Sequence, residues 1–107
     1  MKTFTEKDWK TLSRLKPLAL ERLSRRILDE SQRIIASAPA GESHSAYLKL
    51  YKHIYKQDKV MADCFDYWSR SNALTMLTLW RGHDLITDEE FAAFSPAARE
   101  ATNLFLR

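Results

Sequence analysis

Tyr51, His53 and Asp58 lie within one short stretch and carry a phenol, an imidazole and a carboxylate, the groups general acid–base catalysis uses. They are the residues an enzyme would draw on here, and it would need a pocket around Asp58. Cys64 is the only thiol, and its neighbours Asp63 and Asp66 oppose thiolate formation. No histidine stands three or four residues from it, so it reads as a structural cysteine. His44, His53 and His83 share no ligand spacing with one another or with Cys64, which leaves zinc without support. Asp63 and Asp66 stack one turn apart, with Lys59 and Arg70 four residues to either side to neutralise them.

Two glycines, Gly41 and Gly82, cannot build a phosphate-cradling loop so far apart. The stretch from Asp84 to Phe91 has the ending of a calcium loop, with Glu90 as its last ligand. That alignment puts Leu79, Arg81 and His83 where oxygen ligands belong. It reads instead as a capping box, Thr87 with Glu90 three residues on. The expectation is no catalytic constellation, no metal and no cofactor.

Basic residues form two groups. In the group Arg22, Arg25, Arg26 and Arg33 most of the charge has an acid four residues away, as in Glu21–Arg25, Arg25–Asp29, Arg26–Glu30 and Asp29–Arg33, and the group reads as a solvated helix face. Lys49, Lys52, Lys56 and Lys59 make a row in which only Lys59 has an acid four residues on, Asp63. This row is the candidate nucleic-acid contact, with Arg14, Arg22 and Arg26 as neighbours if the helices pack favourably. Tyr47, Tyr51 and Tyr55 point away from it, so no base-stacking platform accompanies the charge.

The elements that would carry these groups are helices. Thr5 caps a first helix over residues 5–15, with Asp8 reaching back and Phe4 and Trp9 at hydrophobic-staple spacing. Pro17 predicts a break, with a second helix over 17–38 whose face is Leu20, Leu23, Ile27, Ser31, Ile34 and Ala38. Pro39, Gly41 and Ser43 mark a loop. A third stretch covers 44–69, with Tyr47, Leu50, Tyr51, Ile54, Met61, Phe65 and Trp68 on one face. Asp58 interrupts that face, predicting either a break near 57 or a buried hydrogen-bond donor for its carboxylate. Asn72 raises the same question one helix later, where residues 69–72 suit a cap.

Residues 72–82 follow, ending at Gly82 as a C-cap, then helices over 88–94 and 96–106 with Ser95 and Pro96 opening the last. The 72–82 helix is the most apolar element: Ala73, Leu74, Met76, Leu77, Leu79 and Trp80 sweep more than half its circumference. In so small a domain that width predicts a surface shared between core and interface, with Leu74, Met76, Leu77, Trp80 and the outward-facing Tyr67 as the interface.

Composition sets the frame. The 107 residues suit one domain; two glycines and three prolines starve turns and favour an all-α bundle of four to six helices closed by a short C-terminal hairpin. Net charge is +3, but residues 1–83 hold 15 basic and 9 acidic groups against 2 and 5 in residues 84–107. The lone cysteine suits a reducing compartment, and no apolar run has signal-peptide or membrane-span length. The expected protein is a cytoplasmic interaction module without catalytic activity. It would form a homodimer or bind a protein partner, with nucleic acid as the alternative and no membrane.

Overall fold

Thr5 opens the first helix through a reciprocal cap: the Asp8 N–H donates to its hydroxyl at 3.1 Å, and its own N–H donates to the Asp8 carboxylate at 3.0 Å. The computed structural model describes residues 3–107. Helix α1 (Glu6–Ala36) then runs through Pro17 without stopping, so the break expected there does not occur. An internal proline forfeits one backbone hydrogen bond and costs about 3 kcal/mol. Leu12, Leu15, Ala19 and Leu23 are all but fully buried on both sides of it, and burying leucines contributes roughly 1.5–3 kcal/mol each. One continuous apolar stripe outweighs one lost bond, and Pro17 itself lies in solvent.

Helix α2 (Ser43–Phe65) returns alongside α1 after a turn in which Gly41 takes φ +84°, a left-handed value suited to glycine. It ends at Phe65, short of the expected 69. It also passes through Asp58 unbroken, because Asp58 faces solvent and needs neither a cap nor a buried donor. A single 3₁₀ turn, Arg70–Asn72, follows under a Ser69 cap, and the Asn72 side chain donates to the Tyr67 carbonyl at 3.0 Å. Helices α3 (Ala73–Gly82), α4 (Asp88–Ala92) and α5 (Pro96–Phe105) complete an all-α fold, a single small domain.

Gly82 is not the left-handed cap of α3. Asp84 holds that position at φ +56°, with its N–H on the Arg81 carbonyl at 3.2 Å and the Leu85 N–H on Trp80 at 2.8 Å. Those two bonds form a Schellman motif, and buried Leu85 supplies its apolar contact. Gly82 instead admits Leu106, whose Cδ2 would lie 3.2 Å from an added Cβ.

The core is built around α3. Ala73, Met76, Leu77 and Trp80 are fully buried against the first half of α1, the end of α2 and helix α5. Trp80 stacks at 6.1 Å on Trp68, which meets Trp9 at 4.7 Å, and its indole N–H donates to the Cys64 carbonyl at 2.9 Å. Beyond Leu23 on α1 and before Cys64 on α2, Ser31 is the one buried residue. The helical hairpin therefore leaves the core behind as a two-helix arm. The molecule measures 61 × 26 × 23 Å with a radius of gyration of 17.0 Å, against about 13 Å for a compact chain of this length.

Candidate functional site

The interface expected on α3 is not on the surface. Met76, Leu77 and Trp80 have no exposure and Leu74 is half-buried; only Tyr67 stands in solvent. The wide apolar sweep of α3 is explained within one chain, because α1, α2 and α5 wrap it. Exposed apolar side chains stand at the end of α5, on Leu104 and Phe105, and in larger number along the α1–α2 hairpin. Leu20, Leu28 and Ile35 of α1 and Tyr47, Tyr51 and Ile54 of α2 are between 40% and 61% exposed, far above core values.

Five of these share one side of the arm. At 100° per residue, Leu28 and Ile35 fall clockwise of the α1 contact line and Tyr47, Tyr51 and Ile54 counter-clockwise of that of antiparallel α2, which is the same side of the hairpin; Leu20, at the base of the arm, lies on the line of Ile27 and Ser31. The opposite side is polar. There Glu30, Arg33, Ser45 and Lys49 line a groove between the helices, and Arg26, His53 and Gln57 line a second one nearer the core. Helix α3 and the connection to α4 dock on that polar side too. Arg26 reaches the His83 and Asp84 carbonyls at 2.6 and 3.0 Å, and Arg22 reaches the Leu85 carbonyl at 2.9 Å.

Arg26 departs from the intrahelical pairing expected of it, and Arg22, with no acid four residues away, finds its partner across the fold. Arg22 forms a bidentate pair with Glu90 at 2.6 and 3.0 Å, and Arg26 holds carbonyls at the negative end of α3 rather than Glu30. Arg33 pairs with Glu30 instead of Asp29; Arg25 keeps Asp29 at 3.5 Å. The Arg22 pair holds the Glu90 carboxyl down at about 2, from an ordinary 4.5; burial acts against this, and the Thr87 N–H and hydroxyl assist it. Neither arginine is free to meet a polyanion.

The lysine row is placed differently. Lys49, Lys52, Lys56 and Lys59 are exposed, and none of them is in an ion pair among the described residues. Lys59 lies over the Tyr55 ring at 4.5 Å, so Tyr55 adjoins the row rather than pointing away from it as expected, and Lys49 shares its groove with Arg33, Glu30 and Glu42. Two acids within that groove dilute its positive field.

The acid–base candidates are not brought together. His53 turns inward, its Nε2–H donating to the Ile27 carbonyl at 3.1 Å, whereas Tyr51 and Asp58 project from the other side of α2. Burial, with Asp63 adding to it, pushes the Cys64 thiol up to about 11, the setting of an inert cysteine. No group of three or more histidine, cysteine, aspartate or glutamate side chains suited to a metal occurs among the described residues. No helix among them is long and apolar enough to cross a membrane.

The most polar buried cluster joins the ends of the chain. Asp8, almost wholly buried, accepts from the Ser95 N–H at 2.8 Å and its hydroxyl at 2.7 Å in addition to the Thr5 N–H. Burial raises its carboxyl, but these hydrogen bonds together hold it below the ordinary 3.8. Local spacing exposed the Thr5 half of this cluster and not the Ser95 half, which lies 87 residues away. Compared with protein-family models, curated proteins and solved structures, the chain matches none of them.

Proposed function

We propose that the protein is a helical interaction module, without chemistry of its own, that binds another polypeptide along the apolar side of its α1–α2 arm. The observation that carries this reading is the exposure of Leu28, Ile35, Tyr47, Tyr51 and Ile54 on one side of a projecting hairpin. Scattered exposed leucines are ordinary; a contiguous apolar strip rimmed by charge is the usual mark of a docking surface. Tyrosine is a favoured anchor there, since it buries a large rigid area and keeps a polar tip. The single buried thiol is compatible with action in a reducing cytoplasm.

A photo-crosslinking residue in place of Tyr51, compared with one in place of Arg33 on the polar side, tests this in the source cell. Protein adducts are expected from position 51 and not from 33. Adducts from neither, or from 33 alone, overturn the reading.

The exposed lysine row supports a second reading, nucleic-acid binding, because Lys49, Lys52 and Lys56 lack acidic partners among the described residues. It expects binding that falls steeply with salt and is lost on Lys52→Glu with Lys56→Glu. It stands second because the arginines expected to extend the patch, Arg22 and Arg26, are engaged within the fold.

A further inference from the structure

We infer that the arm's partner is a second copy of this chain, packed arm against arm and antiparallel across a two-fold axis, so that two hairpins complete a four-helix bundle. This rests on the reading of the arm as a docking surface and names its occupant.

Area is the first argument. Five side chains about half exposed present roughly 500–600 Å², about two-thirds of the ~800 Å² each partner contributes to a standard stable interface. Access is the second. Arg22 and Arg26 hold the α3–α4 connection on the opposite, polar side of the hairpin, which leaves the apolar side clear of it.

Register is the third, and it favours self-pairing. The His53 bond to the Ile27 carbonyl sets those residues at one height along the arm, which puts Leu28 level with Lys52 on the antiparallel neighbour. An in-plane two-fold axis at that height sets Leu28 against Leu28 of the other copy. Leu20 and Ile35 stand eight and seven residues to either side, so they come to nearly one height across the axis. On α2, Asp58 and Tyr47 stand six and five residues to either side of that height. The one carboxylate interrupting the apolar side of α2 thereby faces a phenol O–H able to donate to it. Every helix in the resulting bundle has antiparallel neighbours, the standard up-and-down arrangement.

Light scattering of the full chain at micromolar concentration reads the state directly. The expected mass is about 25 kDa, twice the 12.5 kDa of one chain. Leu28→Glu or Ile54→Glu should give a monomer of unchanged helicity, since neither side chain is in the core; Arg33→Glu, on the polar side, should remain a dimer. Leu28→Cys should form an interchain disulfide under mild oxidation, and Ile35→Cys alone should not. Tyr47→Phe should weaken the dimer several-fold. A dimer that survives Leu28→Glu overturns this interface, and self-linking at 35 but not 28 overturns its register. A monomeric wild type overturns the second copy as occupant. If crosslinks to another protein at position 51 persist in that case, the docking reading stands without self-association; if they are absent too, both fall.

Discussion

Two carboxylates carry much of the long-range order, and both act only when ionised. Asp8 accepts from Thr5 and Ser95, and Glu90 accepts from Arg22 and Thr87. A carboxyl held below its unfolded value contributes stability that is fully present above that value and is lost as pH falls through the folded one. For Glu90 the window runs from about 4.5 down to about 2; Asp8 adds to the same acid limb. Urea unfolding followed across this range should show a steep loss of stability in the wild type and a shallower one in Glu90→Gln. At neutral pH, Asp8→Ala should cost about 3 kcal/mol, because it strips the α1 cap and leaves the Ser95 donors without an acceptor. The Thr5–Asp8 and Thr87–Glu90 boxes were legible from spacing. Their distant halves, Ser95 and Arg22, were not, because no local pattern relates residues 87 and 68 positions apart.

At the scale of elements, the cap signals gave the starts of α1, α4 and α5 to within a residue, and the proline signal misled. Pro17 sits in the middle of a 31-residue helix because its neighbours Leu15 and Ala19 are both required by one core. Since its ring is exposed and the helix persists around it, Pro17→Ala should restore a donor and stabilise the protein by up to about 3 kcal/mol, read as a raised urea midpoint with unchanged slope. No change, or a loss, would mean that α1 is kinked to the proline's advantage. Asp58 misled in the same way. A charge on an apolar helix face implies a break or a buried partner only if that face is covered within the chain, and on the arm it is not.

Over the whole molecule, stability is unevenly spread. The end built from α3, α5 and the first half of α1 contains nearly all the buried side chains, whereas the arm has only the facing sides of two helices. A two-helix hairpin without a third layer is marginal. Amide exchange should therefore be slow around Leu12–Leu23 and Ala73–Trp80 in any state. In the Leu28→Glu monomer, the arm between residues 27 and 57 should exchange markedly faster than in the wild type at high concentration. Equal arm protection in both would show that the hairpin is stable by itself.

By itself the sequence determined the helical class and the number and order of the short C-terminal helices, because caps, glycine scarcity and helical periodicity are local properties. It also identified α3 as the most apolar element. Whether that apolar surface was core or interface was a tertiary matter. The width of an apolar stripe says how much must be covered, and not by what. Here α1 passes through its proline and joins α2 and α5 in burying Ala73, Met76, Leu77 and Trp80, and the length it gains carries uncovered surface out onto the arm.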